Sequence, residues 1–273
     1  MGASAGTMTT MPWVVAHRGA SDEFAEHTPA AIQRALDLGA DGIECDVRLT
    51  SDGHVVLMHD ATTKRTAGTQ QRISRSTLAQ LRELDYGAWH HTSATDDDVS
   101  MSSAQRHSLM TLPELLQVLE AQPRPVGLFV ETKHPSRNGK SLEPYVARVL
   151  AHFGWNRSRA EGEPPVSVMS FSQAALRRLQ SADAAIPRTL LVSPPLASGR
   201  ATSIEKLADS VGPSVALMRR NADWISRAVA SHRPVFVWTV DTDADFDAAS
   251  RLGVTAIITN RPRWAVGRRD AAV

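Results

Sequence analysis

The chain has 273 residues, more than a minimal domain needs and well suited to a single α/β barrel. Hydrophobic residues make up 42% and charged residues 22%, close to soluble globular averages, which excludes a disordered, fibrous or disulfide-stapled class. Lys plus Arg number 30 against 29 for Asp plus Glu, so no strong field favours nucleic acid or an acidic membrane surface, and any anion site must be local.

Met1 to Pro12 is small and polar, without the basic start or apolar run of a signal peptide, so secretion is not expected. No segment approaches the ~20 apolar residues of a membrane span. The single cysteine, Cys45, precludes an internal disulfide and a thiolate zinc site, and fits a reducing, cytoplasmic compartment. Short apolar runs then alternate with helical patterns, as in a parallel sheet covered by helices. The strand candidates are Trp13 to Ala16, Asp41 to Val47, Val55 to His59, Val126 to Thr132, Val166 to Ser170, Thr189 to Val192, Ser214 to Leu217, Val235 to Val240 and Thr255 to Thr259. These are nine candidates for eight barrel places, so Ser214 to Leu217 or another weak run is peripheral. Helices are predicted after Thr28 with Pro29 at the first helical position, after Ser172 and after Asn221, and over Ser76 to Leu84 and Leu112 to Glu120. Ala61 to Met110 reads as an insertion, with loop from His90 to Ser108 and a solvated acidic run at Asp96, Asp97 and Asp98. The domain is expected to span 12–265, with flexible tails at 1–11 and 266–273.

Ala16-His17-Arg18-Gly19 follows the first apolar strand, placing imidazole and guanidinium at the strand's C-terminal end, where parallel barrels keep their sites. In the next strand Glu44 and Asp46 are two residues apart and share one face, while Ile43, Cys45 and Val47 share the other. Cys45 then packs against helices as a small hydrophobe. Two enclosed acids repel and resist ionisation unless a cation binds between them. The link from Val47 to Val55 is too short for a crossover helix. The chain therefore either returns to run parallel or folds as a hairpin about Asp52-Gly53, in which His59 falls opposite Asp46. A third acid, Glu131, ends another apolar strand and shares its face with Lys133. Oxygen ligation by Glu44, Asp46 and Glu131 suits Mg²⁺ or Ca²⁺ better than zinc or copper. Three carboxylates beside a divalent ion leave one negative charge, which Arg18 and Lys133 turn into one positive charge, apt for a phosphodiester.

The succession His17-Arg18-Gly19, Glu26-x-Thr28, Glu44-x-Asp46, His59-Asp60 and Glu131-x-Lys133, with Ser170-Phe171, Val237 to Asp241 and Ile257 to Pro262, resembles the glycerophosphodiester phosphodiesterase family from about Val14 to Pro262. The resemblance implies a TIM-type (β/α)8 barrel with a small insertion after the third strand. It also implies metal-dependent hydrolysis of a small-molecule glycerophosphodiester to glycerol 3-phosphate and an alcohol. On it, His17 and His59 form the acid/base pair, Glu44, Asp46 and Glu131 hold the metal, and Arg18 and Lys133 hold phosphate. Trp238 lies near the substrate by resemblance and in the core by the usual habit of strand tryptophans. The family's usual Glu-Asn-Thr reads Glu26-His27-Thr28 here, which puts the Asn contacts in question; Glu26 is left to orient the first loop or approach the metal. His54, His90, His91 and His107 match no family role and are expected in solvated loops. Rival readings are a lysophospholipase D-like or sphingolipid phosphodiesterase on the same fold, needing an apolar mouth, and a non-catalytic anion-binding protein.

Overall fold

The computed structural model describes residues 11–90, 102, 105, 107–134, 141–194 and 207–272. Its strands are β1 (Trp13–His17), β2 (Gly42–Leu49), β3 (Val55–Leu57), β4 (Gly127–Thr132), β5 (Val166–Ser170), β6 (Arg188–Val192), β7 (Ser210–Pro213), β8 (Phe236–Trp238) and β9 (Ala256–Thr259). All but β3 run parallel, in the order β7, β6, β5, β4, β2, β1, β9, β8. Parallel bridges from Val211 to Val235 and from Ser214 to Trp238 bring the two ends together, giving the nearly closed (β/α)8 barrel expected.

Alternation along each strand divides the apolar residues into two sets. Val15, Phe129, Met169, Leu191, Phe236 and Ile258 fill the interior, with Phe129 and Phe236 meeting edge to face at 4.9 Å between centroids. Ile43, Cys45, Val47, Leu128 and Val130 face outward and pack under the helices. The predicted caps are in place. Thr28, Ser172 and Asn221 each accept an N–H three residues on, opening helices Pro29–Asp37, Gln173–Ala182 and Ala222–Ala230. Leu112–Glu120 begins at a Thr111–Glu114 capping box.

Two strand expectations are corrected. Ser214 to Leu217 is not a strand: the Ser214 hydroxyl accepts from Leu217 N and caps the short helix Val215–Arg220, while the strand lies just upstream at Ser210–Pro213. The peripheral run is the second alternative, another weak run: β3 pairs antiparallel with β2, Val47 facing Leu57 and Leu49 facing Val55, and what is corrected there is the hairpin register. This is the hairpin alternative with its register moved by one residue. Thr50 N–H bonds His54 O across a three-residue turn with Gly53 at φ 91°, so Met58 rather than His59 pairs with Asp46. Because β3 is a hairpin arm, the insertion follows the third strand of the chain but only the second stave of the barrel.

Within 61–110 the described residues form the helical turns Lys64–Ala67 and Ile73–Arg75 and the helix Leu78–Arg82, closed over Val56, Met58, Ile73 and Leu81. The helix expected over Ser76 to Leu84 is thus shorter, starting at a Thr77–Gln80 capping box. Asp96 to Asp98 and His91 lie outside the described residues, as does 1–10 of the N-terminal tail. The tail expected from 266 is instead helical: Pro262–Asp270 buries Ala265 and Val266 in the outer core, and Pro262 at the first turn marks its start.

Candidate active site

Strand register assembles the site. His17 on β1 lies opposite Glu44 on β2, and Asp46 on β2 opposite Glu131 on β4. All four occupy interior-facing positions, His17 and Glu131 near the C-terminal ends of β1 and β4, and Glu44 and Asp46 midway along the longer β2. Glu44, Asp46 and Glu131 are buried, and each offers an oxygen within 4.8 Å of the others. Glu44 Oε2 is buried without a hydrogen-bond partner, an expensive arrangement that a cation would relieve, while the Asp46 oxygens meet cationic side chains. The donor set is oxygen only, so it fits a hard divalent ion.

Neighbouring cations offset part of this charge. Arg18 Nε lies 2.9 Å from Asp46 Oδ2, and Lys133 Nζ lies 3.0 Å from Asp46 Oδ1 and 2.7 Å from Glu131 Oε1. Burial would raise the Asp46 pKa, but Arg18, His27 and Lys133 hold it well below the usual carboxylate range. Burial, then the Asp46 charge, push Glu44 well up and Glu131 up to about 7. One ionised acid is thus compensated by protein cations while two resist ionisation, as expected of a cluster built around a further positive charge. Gly19 shapes the adjoining loop: at φ 85°, a Cβ there would stand 2.6 Å from the Ala31 carbonyl.

His17 is held from behind. Asn260 Nδ2 donates to Asp241 Oδ2 at 2.6 Å, leaving Asn260 Oδ1 to accept from His17 Nδ1, also at 2.6 Å. His17 Nε2 then faces the acids, 3.7 Å from Glu44. Burial, followed by Arg18, pushes its pKa down to about 4, so the ring is neutral near pH 7. His59 is reached from the hairpin. Arg48 donates twice to its carbonyl, at 2.9 and 2.7 Å, and Nδ1 lies 2.7 Å from Asp60 Oδ1. Its pKa is lowered, first by burial, with Asp46, Arg18 and Lys133 close enough to act on it.

Comparison with known proteins follows the same residues. The sequence profile of the glycerophosphoryl diester phosphodiesterase family matches residues 17–263. The chain belongs to that family. Over 253 residues it is 43% identical to probable glycerophosphodiester phosphodiesterase 1 of Mycobacterium tuberculosis, covering 92% of this chain and 90% of that protein. It is 29% identical over 254 residues to a glycerophosphodiester phosphodiesterase of Bacillus subtilis, covering 91% and 83%. A phosphodiesterase of Oleispira antarctica shares the fold at a TM-score of 0.76 and 24% identity, covering 95% of this chain and 97% of that one. This family member is therefore an enzyme, a phosphoric diester hydrolase of the glycerophosphodiester type.

Against the family pattern, His27 occupies the usual Asn position with φ 62°, and its Nε2 accepts the Asp46 N–H at 3.0 Å. Glu26 turns toward arginines, with Arg18 at 3.2 Å and Arg65 at 2.8 Å, which favours loop orientation over a place among the acids. Trp238 combines both expectations: its ring packs in the barrel interior and donates to Gly212 O at 2.8 Å, yet meets Phe171, 46% exposed, edge-on at the rim. His54 is exposed as expected. His90 and His107 are not simply solvated: His90 approaches Ser21 O at 3.3 Å, and His107 lies 3.1 Å from Asp85. Sequence reading assigned no role to Asn260, Asp241, Arg48 or Arg65. For Asn260 a signal existed, since it directly follows the last apolar strand at the end where barrel sites lie.

Proposed function

We propose that this enzyme hydrolyses glycerophosphodiesters to glycerol 3-phosphate and an alcohol, with His17 and His59 as acid and base beside a divalent cation, Mg²⁺ or Ca²⁺, held by Glu44, Asp46 and Glu131. The observation carrying this reading is the in-register convergence of His17 and three buried carboxylates that offer oxygens within 4.8 Å of one another. The product class is carried over from the similarly folded Oleispira antarctica phosphodiesterase, which was solved with sn-glycerol 3-phosphate. When bound, the cation would offset the carboxylates and polarise a phosphoryl oxygen.

The protein's own groups do the rest. Arg18 and Lys133 carry positive charge into the acid cluster and hold the phosphate. His17, with Nδ1–H committed to Asn260, presents Nε2 to take or return a proton; His59, with Nδ1 on Asp60, presents its own Nε2 in the same way. Trp238 and Phe171 line the rim where the organic part of the substrate would rest.

The test is a panel of glycerophosphodiesters incubated with Mg²⁺ or Ca²⁺, with glycerol 3-phosphate release as readout. Release is expected with at least one head group, lost on chelation and restored by one of the two ions. Lysophosphatidylcholine in the same panel tests for a lipid-cleaving rival, and its preferential turnover would replace the proposed substrate class.

A further inference from the structure

The insertion sends one side chain into contact with both halves of the site. Arg65, in the helical turn Lys64–Ala67, grips Glu26 with two terminal nitrogens, each at 2.8 Å, and donates through Nε to Asp60 Oδ2 at 2.7 Å. The second Asp60 oxygen, Oδ1, is the one that holds His59 Nδ1 at 2.7 Å. Glu26 also accepts from Arg18, which in turn reaches Asp46. One face of the guanidinium lies against Trp89, 5.6 Å from the ring centroid.

An exposed arginine pair is ordinarily a surface salt bridge of little consequence, worth about 0–1 kcal/mol. Arg65 is 40% exposed, so exposure alone would assign it there. The geometry differs in two respects. Glu26 is only 10% exposed and is held by a two-pronged fork, which fixes the guanidinium plane. Asp60 is held by both oxygens on different partners, so its carboxylate cannot turn without releasing Arg65 or His59. We propose that Arg65 is a positioning residue that bridges Glu26 and Asp60, setting the orientation of His59 through Asp60 and of the first loop and Arg18 through Glu26. Its importance for turnover rests on the acid/base reading of His59 above, whereas its effect on the His59 ring does not.

Arg65→Gln keeps a polar side chain but loses charge and fork. In the full chain with Mg²⁺, kcat for glycerophosphocholine should fall about 10- to 100-fold, as for loss of an outer group that orients a reacting one. KM should rise as well, because Arg18, which holds the phosphate, is oriented through Glu26. Nitrogen-detected NMR on histidine-labelled protein should show the His59 ring losing its fixed Nδ1–H form and averaging between tautomers, with His17 unchanged. Asp60→Asn added to Arg65→Gln should cost little more than Arg65→Gln alone. Arg65→Lys should not restore wild-type behaviour, because one ammonium cannot fork onto Glu26 while bonding Asp60.

Unchanged His59 signals in Arg65→Gln would overturn the proposal whatever happens to kcat, and so would full rescue by lysine. If the wild-type enzyme turned over no glycerophosphodiester, the substrate reading would fall, and the His59 signals would still decide the role of Arg65.

Discussion

At position 27 the backbone is left-handed, a region that Asn enters more readily than most residues because its short amide can bond locally. His27 takes that conformation and turns its imidazole onto the buried Asp46 N–H, so ring nitrogen does a task that an amide oxygen can also do. Burial pushes the His27 pKa down to about 3, keeping Nε2 available as an acceptor. Asn is therefore expected to replace His27 with modest loss, whereas His27→Ala leaves a buried N–H unpaired at a cost of about 1–3 kcal/mol. Urea denaturation of the two variants checks this, and equal stability for both would refute the acceptor role. For the proposed acid/base pair, His17→Ala and His59→Ala should each lower turnover roughly 10²- to 10⁴-fold in folded protein. Near-normal kcat in either variant would remove that histidine from the mechanism. His17 and its carboxylate neighbours were legible at this scale because their types and strand positions are local. Asn260 gained its role only when a residue 243 positions from His17 came within hydrogen-bond distance.

Neighbouring helices are joined by a buried acid. Glu143, at the start of Glu143–His152, is fully buried and receives two bonds from Arg178 on Gln173–Ala182, each at 2.9 Å, with His134 Nε2 also 2.9 Å away. Burial alone would raise its pKa, but the bonds from His134 and Arg178 outweigh this and lower it from 4.5 to about 2. A depressed carboxylate pKa contributes stability that is fully present above the unfolded value and lost as pH falls through the folded one. Stability should therefore drop between pH 4.5 and about 2, by on the order of 3 kcal/mol from this group. Glu143→Gln should be less stable at pH 7 and show a flatter acid dependence in denaturation curves over that window. An unchanged slope would mean that the pairing contributes little. At Leu112–Glu120, Thr111→Ala should cost about 1 kcal/mol by removing the cap, lowering Tm by roughly 2–4 °C in calorimetry. Helix starts were legible because a cap is decided within four residues. The hairpin register was not, because it depends on whether two or three residues form the turn.

Across the whole molecule, the acid cluster ties β2 and β4 to a charge the protein does not fully provide. A divalent ion binding the folded chain alone should stabilise it by mass action, about 2.7 kcal/mol at one hundred times its dissociation constant. Tm should rise with Mg²⁺ or Ca²⁺ concentration in wild type and much less in Glu44→Gln or Glu131→Gln; equal rises in all three would place the ion elsewhere. This readout is independent of turnover.

From the sequence alone followed the parallel sheet covered by helices, the inward face of Glu44 and Asp46 and the outward face of Cys45, because strand periodicity and helix caps are properties of a few adjacent residues. Closure of that sheet into a barrel followed from the family resemblance. Tertiary structure alone decided that β3 is a hairpin arm, that Pro262–Asp270 forms a helix against the barrel, and that Asn260 and Arg65 brace the two histidines. Those outcomes depend on which surfaces meet across the closed sheet, and contact between residues far apart in the chain is set by register and packing, neither of which a local pattern contains.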